Sequence, residues 1–302
     1  GLHLHSTFAV TSSGLPLGVL RAECKAREQR SQEDRRALSA IPIEEKNTFS
    51  WIQGVRDCMD IKQLMPHTSL ISVMDREADF FEIFDDQRRK SSRVDLLIRA
   101  QHNRKTMGEH KLFEEVMQSP VQSRITIKIP RQSARVKKKN QKARRKHAAR
   151  IAEVTVRYKR AELKPPPYFQ EMAPISLWII HVKEEKPPAG TKAVEWFLLT
   201  TIDIQSLNDA LNCIAWYCLR WRIEDWHRVL KSGCGVEALA HKTAGRLKRA
   251  IAINLVIAWR IMLMTLMGRE MPELAPEVLF SDIEIKVLQA YAKKKALTSR
   301  AL

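Results

Sequence analysis

Apolar and polar residues alternate along LHLHSTFAV at positions 2–10, the period of a half-buried strand. A Ser12-Ser13-Gly14 turn and the stretch LPLGVLRAE follow, so the chain is predicted to open with a hairpin. Residues 25–47 are charged and carry no period. Phe49, Ile52, Val55, Met59 and Ile61 then recur at helical spacing between Thr48 and Leu64. The short apolar run SLISVMD ends on Asp75, READFFEIF reads as a helix, and VDLLIRA at 94–100 reads as a second buried strand. Hairpin, helix, strand, helix and strand together predict a mixed α/β sheet.

Further on, RITIKI (124–129), IAEVTVRY (151–158), ISLWIIHV (175–182) and VEWFLLT (194–200) read as strands separated by turns and basic or proline-rich loops. They predict a β-rich insertion. A long helix is predicted from Ser206 to Lys231, a second over 242–268 and a shorter one over 282–294. There is no internal repeat. The expected division is a first part of a core at 1–100, the insertion with a basic loop at 101–195, a helix completing the core at 196–235, and a helical region at 236–302. The most apolar stretch, Ala250 to Met267, is opened by Lys248 and Arg249 and broken by Arg260. A membrane span needs about 20 nearly uncharged residues, so a buried helix and no membrane partner are expected.

Charge changes the picture more than hydropathy does. The 302 residues hold 52 Lys+Arg against 34 Asp+Glu, formally +18, which points to a polyanionic partner. The five cysteines (Cys24, Cys58, Cys213, Cys218, Cys234) form no CxxC pair and no close Cys/His set. They read as reduced thiols of a cytoplasmic protein, without a structural zinc site.

The predicted Ser206–Lys231 helix contains YCLRWRIEDWHRVLKSG, with Tyr217, Arg220, Glu224 and Lys231 at spacings of three, four and seven. On a regular α-helix these positions fall within roughly 60° of one another. One face then carries a phenol, a guanidinium, a carboxylate and an ammonium. A carboxylate can hold a divalent metal, and the two cations can hold phosphates. A solvated face of mixed charge is the alternative. Asp75, at the end of an apolar strand, suits a ligand-binding sheet edge and equally suits a helix N-cap. Asp75 and Glu224 together could coordinate Mg²⁺ or Mn²⁺, hard ions that prefer oxygen. Two such ions about 4 Å apart serve in-line displacement at phosphorus.

DREAD, a β-rich stretch and then Y-x2-R-x3-E-x6-K resemble the signature of DDE transposases of the insertion sequence 4 group. The resemblance implies an RNase H-like mixed sheet core with a β-rich insertion and a C-terminal helical region. It implies metal-dependent DNA cleavage and strand transfer, with a two-metal Mg²⁺ or Mn²⁺ site. Asp75 would be the second metal carboxylate and Glu224 the third, while Tyr217, Arg220 and Lys231 would contact phosphates near the cleaved end. Trp221 would stack on a flipped base. Trp196 stands between that role and a place in the core. The partners implied are transposon ends and target DNA, and a second copy of the chain in a synaptic homodimer. The location implied is the bacterial cytoplasm, at the nucleoid.

The resemblance also calls for a first aspartate on an opening strand. No aspartate precedes Asp34, which falls in a charged loop, so that strand is expected to be missing and to leave a gap in the sheet. The alternative is therefore a truncated transposase that binds DNA or dimerises without cutting, and a third reading is a nuclease with no strand-transfer step. The tract Arg131–Arg150 holds ten Lys/Arg and no acid, with Lys137, Lys138, Lys139, Arg144, Arg145 and Lys146 as candidate phosphate contacts. A solvated loop is the alternative there. Arg99 is a further DNA-contact candidate. The C-terminal helices serve either dimer formation or simple burial.

Overall fold

The computed structural model describes residues 2–26, 41–90, 93–131 and 148–299. The chain divides into two compact units, Gly1–Ala26 with Trp221–Leu302, and Arg27–Arg220.

In the first unit, β1 (Leu2–Val10) and β2 (Pro16–Ala26) form the expected hairpin, a two-stranded antiparallel sheet. Its turn requires a residue that tolerates positive φ, and Gly14 adopts φ 90° there.

The larger unit contains α1 (Phe49–Leu64), β3 (Ile71–Met74), α2 (Phe81–Arg89), β4 (Asp95–Arg99) and α3 (Leu112–Met117). It continues with β5 (Ser123–Ile129), β6 (Arg150–Leu163), β7 (Ile175–Lys183), β8 (Glu195–Thr200) and α4 (Leu207–Leu219). The six strands form one mixed sheet in the order β3-β4-β8-β7-β6-β5. Only β3 and β4 run parallel. The strands expected as an insertion thus share a sheet with β3 and β4, joined where β8 pairs with β4.

Strand alternation sends successive side chains to opposite faces. Phe197 and Leu199 of β8 face a core made with Ile52 and Val55 of α1, Phe81 and Phe84 of α2, and Leu112 and Val116 of α3. Trp196 and Leu198 face the other way, and Trp196 packs on Tyr217 of α4. The sheet is therefore covered on both faces. Among the described strands, β3 pairs only with β4 and so ends the sheet.

The smaller unit continues with α5 (Trp221–Arg228), α6 (Ala244–Glu270) and α7 (Asp282–Ser299). Leu2, Leu4 and Phe8, alternate residues of β1, pack on a core of Trp226, Leu230, Ile251, Leu255, Ala258 and Met262. Phe8 stacks on Trp226 at 5.1 Å between centroids, and the Trp259 ring donates to the Pro16 carbonyl at 3.0 Å.

The expectation of a buried helix over Ala250–Met267 needs correcting. By length and composition α6 could cross a membrane, yet only 22% of its most apolar window is buried. Ile251, Leu255, Ala258 and Met262 are covered, whereas Ile253, Val256, Ile257 and Ile261 are exposed. Apolar residues lie on more than one face of the helix, and among the described residues the hairpin, α5 and the Val229–Gly233 turn cover the face of Ile251, Leu255, Ala258 and Met262.

Candidate functional site

Asp75 follows directly on β3. Its Oδ1 accepts the Glu77 N–H at 2.9 Å and caps a short 3-10 turn, Arg76–Ala78. The capping role weighed from sequence is therefore present. The carboxylate is only half-buried and spends one oxygen on the cap.

The long helix predicted over Ser206–Lys231 is not one regular helix. Ser206 caps α4 through a box with Asp209. The helix then stops at Leu219, and the Arg220 N–H bonds to the Tyr217 carbonyl, a tightened i−3 contact at 3.1 Å. α5 begins at Trp221, and Val229–Gly233 forms a π-turn in which the Cys234 N–H reaches Val229 O at 2.9 Å. A uniform 100° per residue therefore does not apply across this break and widening. Tyr217 and Arg220 belong to the larger unit, Glu224 and Lys231 to the smaller.

Tyr217 is 3% exposed and its ring meets Trp196, itself 6% exposed, edge-on at 5.1 Å. Both are core residues here, which is the structural alternative weighed for Trp196 and differs from the surface role expected of Tyr217. The Arg220 guanidinium lies over the Tyr217 ring at 5.9 Å. Glu224 is exposed in the first turn of α5, where the helix dipole favours a carboxylate. Lys231 is exposed and lies 3.2 Å from Glu237. Trp221 is half-buried. Arg99 donates to the Glu195 carbonyl at 3.3 Å. Lys137, Lys138, Lys139, Arg144, Arg145 and Lys146 lie outside the described residues, as does Asp34.

Two groups escaped the sequence reading. Asp79, the last residue of DREAD, is buried and accepts from the Gln101 and His102 N–H groups at 2.6 and 2.9 Å and from Arg104. Arg104 also donates to the Asp79 carbonyl. The partners lie more than twenty residues downstream, so no local pattern announces them. His181, 1% exposed, stacks on Phe197 at 4.4 Å and bonds Glu195 through Nε2 at 3.1 Å. Burial pushes its pKa down, and the Glu195 carboxylate only partly offsets this.

All five cysteines are free. Burial pushes the Cys213 thiol up to about 12 and those of Cys58 and Cys218 up to about 11. These three are not poised as nucleophiles. Among the described residues, no three His, Cys, Asp or Glu side chains converge as a ready metal cage. No family model matches the chain.

Proposed function

We propose that the chain acts on DNA as a transposase of the DDE type in the insertion sequence 4 group, cutting strands and joining them to a target. The observation that carries this reading is the pairing of two motifs. DREAD begins directly after strand β3, and Tyr217-x2-Arg220-x3-Glu224-x6-Lys231 runs from the end of α4 through α5 into the Val229–Gly233 turn, in the helical stretch that follows the last strand of the same sheet. A mixed sheet covered on both faces is compatible with an RNase H-like core. The excess of positive charge fits a polyanionic substrate.

Asp75 and Glu224 are the residues that would hold the metal. Both offer carboxylate oxygen, the donor hard divalent ions prefer, and neither is buried. Mg²⁺ or Mn²⁺, when bound, supplies Lewis-acid polarisation at the phosphodiester. Arg220 and Lys231 would hold phosphate oxygens, the guanidinium through its planar fork and the ammonium as a point charge. Trp221 would offer a ring face to an unstacked base. The first carboxylate would stand on a further strand; among the described strands β3 pairs only with β4. A homodimer in the bacterial cytoplasm belongs to the same proposal.

A second reading is a chain that binds DNA or pairs with an intact copy without cutting. It is favoured by the motif residues themselves, which supply two of the three carboxylates the reaction calls for. Incubating the chain with supercoiled plasmid and Mg²⁺ or Mn²⁺ separates the two. Metal-dependent nicking lost in Asp75→Asn and Glu224→Gln supports the first; DNA binding without nicking supports the second. Absence of DNA binding at low salt would remove both.

A further inference from the structure

A row of lysines, none of them a motif residue, lies on the loop between β4 and α3 and at the residue just after β6. That loop is heavily braced. Asp79 fixes residues 101, 102 and 104, as described above. Asn103 accepts the Phe113 N–H at 2.9 Å and donates to Glu114. The Leu112 N–H bonds Arg104 O at 2.9 Å, and the Thr106 hydroxyl donates to His110 O at 2.6 Å. On its other side the Met107 N–H bonds Glu162 O at 2.9 Å, and the Lys164 N–H bonds Lys105 O at 3.0 Å.

The backbone register sets three lysines side by side. Lys105 and Lys111 are directly opposite in an antiparallel bridge, and Thr106 and Leu163 form another. Carrying the second register one residue along the chain places Lys164 opposite Lys105. Residues directly opposite in an antiparallel pair project to the same side. The order Lys111–Lys105–Lys164 is therefore a row across three extended segments, at the spacing of adjacent strands.

All three are exposed, and none forms an ion pair with a carboxylate among the described residues. The neighbouring acids are mostly engaged elsewhere or exposed. Glu114 is held by Asn103 and, more weakly, feels the Lys111 charge, Glu115 pairs with Lys159, and Glu109 and Glu162 are exposed without an ion pair among the described residues. Like charges directly opposite in a β-pair destabilise it, and the braced backbone keeps the three Cα atoms from separating. A polyanion turns that repulsion into attraction.

We propose that the Lys105–Lys111–Lys164 row is a docking point for the phosphodiester backbone of duplex DNA, outside the cleavage motif. The choice of DNA rests on the proposed function above; the place rests on the bridges and the braced loop.

The test compares the chain with Lys105→Ala/Lys111→Ala/Lys164→Ala and with a control of equal charge, Lys90→Ala/Lys128→Ala/Lys192→Ala, all three control lysines being exposed. Binding to a short duplex of unrelated sequence is followed by fluorescence anisotropy from about 50 to about 200 mM salt. Each phosphate contact contributes roughly 0.9 to the slope of log affinity against log salt, so the row variant should lose about 2 to 3 and the control less than about 1. Its thermal midpoint should equal or exceed the parent's, because substitution removes repulsion. A row variant with the control's slope, while the parent binds, overturns the docking point and leaves the DNA reading standing. A lowered midpoint makes the lysines structural and overturns it too. A parent that does not bind duplex DNA overturns both.

Discussion

The rings of Trp196 on β8 and Tyr217 on α4 meet edge-on at 5.1 Å, and neither is more than 6% exposed. This contact fastens the helix to the sheet face opposite α1–α3. A buried Trp reduced to Ala costs about 3–5 kcal/mol through lost transfer energy and the cavity left behind. Trp196→Ala should therefore lower the urea midpoint sharply. A variant as stable as the parent but weaker on DNA would instead give Trp196 the ligand-contact role.

Asp79 predicts a second large loss at a carboxylate. Asp79→Ala removes the acceptor for two N–H groups and strands the partly buried Arg104, at a cost of about 3 kcal/mol. Asp79→Asn keeps an acceptor oxygen and should cost about 1–2 kcal/mol. Chemical denaturation of both variants checks the order; equal losses would mean that the charge carries the whole effect and a neutral acceptor oxygen contributes nothing.

Acid should weaken the fold through His181. Burial holds its folded pKa below the ordinary 6.5, so the unfolded chain binds the extra proton. Stability is fully present above about 6.5 and is lost as pH falls through the folded value. His181→Phe should flatten the fall of thermal midpoint between pH 7 and 5, measured at constant ionic strength. Part of the slope should remain, because burial also lowers His227 and His5. An unchanged slope would take His181 out of the account.

The exposed apolar residues of the smaller unit predict self-association. Ile253, Val256, Ile257 and Ile261 on α6, and Ile283, Val287, Leu288 and Tyr291 on α7, face solvent, and Arg260 joins the two helices to each other through Glu284 at 2.6 Å. Large exposed apolar patches mark interaction surfaces. Ile257→Glu/Val287→Glu should shift the chain from dimer to monomer in sedimentation velocity without lowering its thermal midpoint. A monomeric parent would remove the homodimer from the proposal.

Alternation and helical spacing by themselves placed the hairpin at Leu2–Ala26, α1 at Phe49–Leu64, the strand ending before Asp75, and strands β4 to β8, because a period of two or 3.6 is written in consecutive residues. They also put Asp75 at the end of a strand and the Tyr217–Lys231 motif on a helix that follows the strands. What the period cannot carry is which apolar stripe finds a cover. Trp196 and Tyr217 became core because α4 lies on that sheet face, and Ile253 stayed exposed because β1, β2 and α5 cover only the opposite side of α6. Nor does it carry pairings between distant charges. Asp79 with Arg104, and Lys105 between Lys111 and Lys164, exist only once the chain has folded back on itself, and the interruption at Arg220 is likewise absent from a pattern that reads as one long helix.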